Sequence, residues 1–166
     1  MAELTTNINY LQPTGFKVII DRKKFGNLEF FAQTIEHPSV AVAPAELPFR
    51  RANIHMAGDK LTFGQLSANI ILDENMSAYT EMYDWVQRLV EEQNSTKFDN
   101  RYTNDPTTSV DISVVVLSSN NNQVKKIKYI DCIPVDIGSV SFQATTQEVQ
   151  YLTFPVTFAF SYFEIV

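Results

Sequence analysis

Residues 152–162 read LTFPVTFAFSY, and this stretch decides the fold class of the chain. Every even-numbered position in it carries a large apolar or aromatic side chain: Leu152, Phe154, Val156, Phe158, Phe160 and Tyr162. A period of two is typical of a β-strand that buries one face. The sequence therefore predicts a long final strand whose even-numbered side chains lie in the core.

The same alternation recurs along most of the chain. Residues 66–72 and 110–116 alternate cleanly, and further strands are predicted at about 123–133 and 137–144. Residues 16–21 and 28–36 flank the turn-prone segment 24–27, so they are expected to pair as a hairpin. Eight strands are predicted in all.

One segment has helical periodicity instead. Apolar residues recur at spacings of three and four: Met76, Tyr79, Tyr83, Val86 and Val90. A helix is therefore predicted over about 74–92. Asp73 or Asn75 is expected to cap it, since a short side-chain oxygen accepts from the unpaired N–H groups of a first turn.

These elements predict a mainly β fold in a single domain, 1–166. Two packed antiparallel sheets would form a sandwich or a partly open barrel with one flanking α-helix. Two long loops are expected within it, at about 37–51 and about 93–109. The first contains Pro38, Pro44 and Pro48, and because proline cannot donate to a β ladder, we expect a loop there rather than a strand.

The composition excludes several classes of protein. The 166 residues are 45% hydrophobic with twelve Phe, so the chain is not disordered, and its net charge of −6 argues against a surface that grips phosphate. No apolar run approaches the roughly 20 residues of a membrane span, and the first residues do not have the pattern of an export signal. Only 19% of residues are charged, whereas 46 are Asn, Gln, Ser or Thr. We therefore expect a surface that is polar but largely uncharged.

No constellation of residues points to chemistry. His37 and His55 lie in different segments, and Cys132 sits among isoleucines as a small core side chain would. The five glycines form no phosphate-binding loop, and no nucleophile lies in an activated context. We therefore expect no catalytic residue, no metal site and no cofactor.

Small, uncharged residues occupy the outward positions of several predicted strands, among them Ser67, Asn69, Thr153, Thr157 and Ser161. Sheets usually protect such faces and edges with charge, particularly Lys. Two interpretations remain open. Either the helix and loops cover these faces, or copies of the same chain complete them.

The sequence resembles the tail tube proteins of T-even-type contractile phages over nearly its whole length. The resemblance rests on an ordered series of segments: GFKVIIDRKKFGNLEFFAQTIEHPSV, a proline-containing loop, MAGDKLTF, LSANIILDEN, a helix with MYDWV, GSVSF, and EVQYLTFPVTFAFSYFEIV. The resemblance implies a structural virion protein that forms stacked hexameric rings. The resulting inner tail tube would conduct DNA inside a contractile sheath, without binding it specifically.

The resemblance also implies partners and a location. The partners would be further copies of the chain, the sheath protein, the baseplate and tail terminator proteins, and the tape-measure protein. Assembly would take place in the host cytoplasm, with the product in the virion and no membrane anchor.

Two sets of site residues follow from the resemblance. The loop at about 37–51 would reach neighbouring subunits through Pro38, Pro44, Pro48, Phe49 and Arg50. Outward positions on the strands would face the lumen: Glu29, Gln33, Asp111 and Ser113. An acidic and uncharged lumen repels phosphate, so DNA can slide.

Other functions stay open at this stage. The chain could serve as the tube of a contractile injection or secretion system, with protein as cargo, or as a tube-initiating baseplate protein. From a different class, a monomeric β-sandwich carbohydrate-binding module is the main rival. An enzyme ranks third, because no set of residues supports one.

Overall fold

The computed structural model describes residues 10–20, 25–91, 109–143 and 151–166. Within these ranges the chain forms eleven strands and two α-helices. In chain order they are β1 (Phe16–Ile19), α1 (Gly26–Phe31), β2 (Ala32–Glu36), β3 (Val40–Val42), β4 (Ala45–Phe49), β5 (Ala52–Met56), β6 (Leu61–Phe63), β7 (Leu66–Ile71), α2 (Ser77–Glu91), β8 (Val110–Leu117), β9 (Gln123–Ile137), β10 (Thr153–Ala159) and β11 (Tyr162–Ile165). The predicted mainly β class, with antiparallel pairing, is confirmed.

Most strands belong to one sheet that folds over on itself. Its order is β1-β8-β9-β10-β7-β2, with β11 added to β9. The first part of β9 pairs with β8 and β11, which together with β1 form layer A. The last part of β9 pairs with β10, which together with β7 and β2 forms layer B. The two layers thus form a partly open sandwich, and β9, which belongs to both layers, joins them along one side.

The core lies between the two layers and is apolar. Layer A contributes buried side chains from β1, β8 and β9, and layer B those from β7 and β10: Val18, Ile112, Val114, Tyr129, Leu66, Ala68, Ile70, Phe154, Val156 and Phe158. The alternation predicted for residues 66–72 and 152–158 is therefore confirmed, because the same side chains face inward.

Helix α2 packs on the core as predicted, but its buried face is not centred on the predicted stripe, since Tyr83 and Val90 of that stripe are 48% and 58% exposed. Ala78, Met82 and Trp85 are buried, and the Trp85 ring stacks on Phe25 with centroids 4.4 Å apart. The Asp73 carboxylate accepts from the backbone N–H of Ala78 at 3.4 Å, so Asp73 caps the helix as expected. Desolvation raises the pKa of this carboxyl, but hydrogen bonds from Ser77 and Ala78 outweigh it and the net pKa is lowered.

A bulge in β9 turns the sheet from one layer to the other. Asp131 has a positive φ of 56°, and the pairing register with β8 shifts between Val110 and Ile112. The last strand region of the sequence is interrupted close to this bulge, where the Ser161 N–H donates to the Ile130 carbonyl at 3.0 Å. The predicted single final strand is therefore two strands, β10 and β11, because the chain bends at the same corner as β9.

Three other predictions about the elements are wrong. Residues 26–31 form helix α1 instead of the start of a strand, since Leu28 is buried and the Asn27 side chain donates to Glu81 of α2 at 2.5 Å. Consequently β1 pairs with β8 and forms no hairpin with β2. No separate strand begins at 137, because β9 runs unbroken to that residue. The loop predicted at about 93–109 lies outside the described residues except for its last one.

Candidate functional site

Residues 40–63 form a two-stranded arm where a loop was expected. β3 pairs with β6 and β4 pairs with β5, and each pair is a small sheet of its own. The turn at Arg50 and Arg51 forms the tip of the arm. The loop prediction for 37–51 is wrong because β4 has a partner on one side only, so Pro48 fits into it without leaving a ladder hydrogen bond unmade.

The register of the arm separates an apolar face from a polar face. The apolar face contains Ala45 opposite Met56, Leu47 opposite Ile54, and Phe49 opposite Ala52. Nearer the core, β3 and β6 pair Val40 with Phe63 and Val42 with Leu61. The polar face pairs Glu46 with His55 and Pro48 with Asn53. Such separation is typical of a ribbon that buries one face against something else.

In the single chain, nothing described covers the apolar face. Leu47, Phe49, Ile54 and Met56 are 47–57% exposed, and Leu61 is 60% exposed. Contiguous apolar patches of this kind mark interaction sites on soluble proteins. The arm is therefore the candidate functional site.

An aromatic cluster fixes the root of the arm to the core. Phe63 of β6 contacts Phe160 and Phe163 with ring centroids 5.8 and 5.4 Å apart. His37, just before β3, packs edge-on against Phe163 at 4.9 Å, and its Nδ1 lies 2.7 Å from the Tyr129 hydroxyl. The arm thus projects from a rigid base as a continuation of the core.

One glycine permits the arm to cross between its two small sheets. A Cβ at Gly58 would collide with the carbonyl oxygen of Ala43 on the opposite strand. Gly58 lies in the segment between β5 and β6, where the chain bends at Asp59. Only glycine allows the two backbones to approach this closely.

The tip of the arm is cationic. Arg50 has a positive φ of 51°, a backbone conformation that favours glycine, and its guanidinium lies 5.9 Å from the centre of the Phe49 ring. Arg51 follows it in the turn. Two adjacent arginines therefore give the tip a positive charge, and the backbone at Arg50 is strained relative to glycine.

The outer faces of the two layers differ in charge. On layer B, the outward positions include Thr34, Ser67, Asn69, Thr153 and Thr157, with Glu36 and Asp136 as charged members and neither Lys nor Arg among the residues that the register places there. On layer A, Lys17, Lys126 and Lys128 face outward together with Asp111 and Glu164. Helix α2 packs on the inner side of layer B, so it leaves the uncharged outer face open.

Three features of the described residues bear on metal binding, thiol chemistry and membrane insertion. They contain no group of three or more His, Cys, Asp or Glu side chains that could hold a metal ion. Burial raises the pKa of the Cys132 thiol to about 11, which disfavours the reactive thiolate. Among the helices described, none is long and apolar enough to cross a membrane.

A family model described as phage tail tube protein matches residues 3–166. The chain belongs to this family. No curated protein sequence gives a significant match. A tail tube protein is a structural component of a particle, and the exposed arm and the open outer face of layer B fit that role.

Solved structures show the tail tube fold as well. A chain in the extended sheath–tube complex of the extracellular contractile injection system PVC matches with a TM-score of 0.67 and 12% identity, over 99% of each chain. A chain in the tube-terminating cap of the anti-feeding prophage matches with a TM-score of 0.67 and 13% identity, over 99% of this chain and 95% of that one. A chain in the baseplate of the same prophage matches with a TM-score of 0.63 and 13% identity, over 100% and 97%.

The residues predicted to contact neighbouring subunits of the tail tube lie at different heights along the arm. Pro38 is buried below its root, Pro44 lies exposed between β3 and β4, and Pro48 is within β4. Phe49 and Arg50 form the exposed tip. The sequence alone did not single out Leu47, Ile54 and Met56. Their alternation with Glu46 and His55 is nevertheless typical of strands with one apolar face.

The residues predicted to face the lumen do not share one surface. Gln33 lies in the irregular part of β2, and its amide donates to the Tyr151 hydroxyl at 3.5 Å. Asp111 is on the outer face of layer A, where it pairs with Lys128 at 2.8 Å. Glu29 is in helix α1 and is therefore not a strand position. Ser113 is on the outward side of β8 but is only 6% exposed, because β1 and β9 flank it with Ile19 and Lys128 opposite.

Proposed function

We propose that six copies of this tail tube protein form a ring, and that the rings stack into the hollow inner tube of a contractile tail through which DNA passes. The observation that carries the proposal is the uncovered apolar face of the arm. In a structural protein, such a face serves to join subunits.

Free sheet edges support a ring. Within the described residues, β2 pairs only with β7, and the last part of β9 pairs only with β10. Layer B therefore has an unpaired edge on each side, and neither edge carries the lysines that usually prevent edge-to-edge pairing. Joining these edges between neighbours closes layer B into a larger barrel, which removes the edges altogether.

The charge difference between the layers supports an orientation. The outer face of layer B, with Glu36 and Asp136 and no cation among its registered positions, would line the channel. Phosphate groups find no cation to bind there, so DNA would slide rather than adhere. Gln33 stays a lumen candidate beside this face, whereas Asp111 and Ser113 lie on layer A with its three lysines.

The partners and location follow the same proposal. A sheath would surround the tube, a baseplate and a tail terminator protein would bound it, and a tape-measure protein would occupy it during assembly. Assembly would take place in the host cytoplasm. The similar chains come from a sheath–tube complex, a baseplate and a tube-terminating cap, which supports a place in this kind of particle.

One alternative shares the fold. The same subunit would suit the tube of a contractile injection system with protein cargo, since its solved relatives in fold belong to the anti-feeding prophage and PVC assemblies. A channel face that carries Glu36 and Asp136 and no cation among its registered positions is compatible with either cargo.

Electron microscopy of the purified protein tests the proposal. Negative-stain images at high protein concentration should show rings with sixfold symmetry or tubes, and sizing should show a species of six subunits or more. A protein that remains monomeric under all conditions would contradict the tube and favour a monomeric carbohydrate-binding module.

A pair of arm variants refines this test. The double variant Leu47→Ser, Ile54→Ser removes two adjacent side chains from the apolar face, and we expect it to stay folded but to lose rings and tubes. The matched control Glu46→Ser, Asn53→Ser changes two side chains on the polar face and should assemble normally. Equal assembly by both variants would show that the apolar face is not the contact.

A further inference from the structure

Two buried polar atoms of helix α2 have no hydrogen-bond partner among the described residues. One is the Nε1 of Trp85, a residue that is 1% exposed, and the other is the Oε2 of Glu81. A buried donor or acceptor without a partner is costly, and proteins satisfy such groups with other protein atoms or with ordered water. These two atoms therefore point to a bound molecule inside the fold.

The two side chains share one face of α2. Glu81 and Trp85 are four residues apart in the helix, so they are neighbours on its surface. A long side chain in a helix leans toward the N-terminus, which carries the Trp85 ring over the turn that contains Glu81. Both also face helix α1 and the residue before it, because Glu81 accepts from the Asn27 side chain at 2.5 Å and Trp85 stacks on Phe25. The two atoms thus lie at the contact between α1 and α2.

The chemistry of the two atoms restricts what can bind between them. The indole N–H of Trp85 only donates, and the Glu81 carboxylate oxygen only accepts. Since each lacks a partner in the described structure, they do not bond each other directly. A metal cation cannot accept from the indole N–H, and an apolar molecule satisfies neither atom. A water molecule accepts one hydrogen bond and donates another, and two polar partners are enough to hold it.

We propose that one ordered water molecule lies between α1 and α2, accepts from the Trp85 indole N–H and donates to the Glu81 carboxylate. The other oxygen of that carboxylate already accepts from Asn27. The water therefore completes a chain of hydrogen bonds that runs from α1 through Glu81 to the buried indole. This inference does not depend on the proposed tube.

The position of this water matters for an edge of layer B. α1 ends at Phe31 and β2 begins at the next residue, Ala32. Among the strands described, β2 pairs with β7 alone, so the other side of β2 is an open edge. A water that fastens α1 to α2 therefore also fixes where this edge strand begins.

NMR spectroscopy of the full-length, unassembled protein tests the proposal. Trp85 is the only tryptophan of the chain, so its indole N–H gives a single nitrogen-15 resonance. In paired NOESY and ROESY spectra we expect cross-peaks of opposite sign between the indole proton and water. Opposite signs indicate a bound water, whereas equal signs indicate exchange of the proton with solvent.

A pair of variants assigns the water to its acceptor. Glu81→Leu removes the carboxylate, and we expect the cross-peak to fall several-fold. The control Asp84→Leu removes a carboxylate three residues further along the same helix and should keep the cross-peak at the intensity of the wild type. A crystal structure of the wild type provides a second measurement, which does not depend on the folding of a variant. It should show a water about 2.7–3.2 Å from both atoms.

Three results would overturn the inference. One is the lack of opposite-sign cross-peaks in the wild type, and another is a cross-peak that Glu81→Leu leaves unchanged. The third is a crystal structure in which the indole N–H of Trp85 donates directly to Glu81. The images of rings and tubes test the tube proposal separately, so either proposal can fail without the other.

Discussion

The backbone N–H of Asp131 donates to the Asp111 carboxylate at 3.2 Å, across β8 and β9. This bond lies where β9 leaves layer A for layer B. The same carboxylate binds the Lys128 ammonium at 2.8 Å. Asp111 of β8 therefore holds β9 at two points, the bulge at Asp131 and Lys128 just before it. The corner that joins the two layers is therefore fixed from the outer face of layer A.

The first prediction concerns the backbone of this corner. Asp131→Gly should change the free energy of unfolding by less than about 1 kcal/mol, since glycine adopts a positive φ freely. Asp131→Val should cost about 1–3 kcal/mol more, because a β-branched residue is strained in that conformation. Urea unfolding followed by the fluorescence of Trp85 measures both, and equal stabilities would show that the bulge relaxes without cost.

The second prediction concerns acid. The hydrogen bond from Lys128 holds the pKa of Asp111 below its usual 3.8. A carboxyl with a lowered folded pKa contributes stability above its unfolded pKa and loses it as pH falls through the folded value. Asp111→Asn should therefore be less stable than the wild type at pH 7, with the difference shrinking below pH 4. Thermal unfolding at pH 7, 4 and 2.5 checks this, and a gap that is constant with pH would contradict the assignment.

The third prediction separates the arm from the core. Gly58→Ala should leave the thermal midpoint of the core nearly unchanged but reduce assembly, because a Cβ there forces the two backbones of the arm apart. Gly26→Ala is the matched control, since nothing lies within 4 Å of a Cβ at that position. Light scattering of concentrated protein follows assembly. Normal tubes from Gly58→Ala would show that the arm tolerates this distortion.

The fourth prediction concerns the tip. Arg50→Gly should relieve the positive φ, worth about 1–2 kcal/mol, and should slow amide hydrogen exchange across the β4–β5 ladder. Assembly should weaken at the same time, since the variant removes a charge from the tip. The control is Arg51→Gly, whose native φ is not positive and which should speed exchange instead. If amide exchange is faster in Arg50→Gly than in the wild type, the backbone at Arg50 is not strained.

The sequence predicted the core faces because each of these strands buries one side only. Leu66 to Ile70 and Phe154 to Phe158 alternate without interruption, and both patterns match the buried side chains. Helix α1 was missed because a short apolar run such as residues 28–31 fits a helix or a strand equally well. The positive φ of Asp131 and the bend at Ser161 depend on contacts between distant strands, which no local pattern contains.

The sequence indicated which segment contains the candidate site, but not that this segment forms paired strands. The prolines marked the segment that contains the first half of the arm, yet they also concealed two strand pairs, because an edge strand tolerates Pro48. The four residues predicted to face the lumen do not lie on one surface, because the sequence does not tell which layer an outward side chain belongs to. Asp111 lies on the outer face of layer A, whereas Gln33 belongs to β2 of layer B, on the other side of the core.

The exposed face of the arm also has a consequence for the time between synthesis and assembly. A free subunit carries a row of half-exposed Leu, Phe, Ile and Met side chains, and such surface promotes aggregation at high concentration. In the proposed tube, incorporation into a growing end would hide that surface, whereas storage as a monomer would not. Supply of the subunit would then have to keep pace with elongation, because excess monomer would stay prone to aggregation.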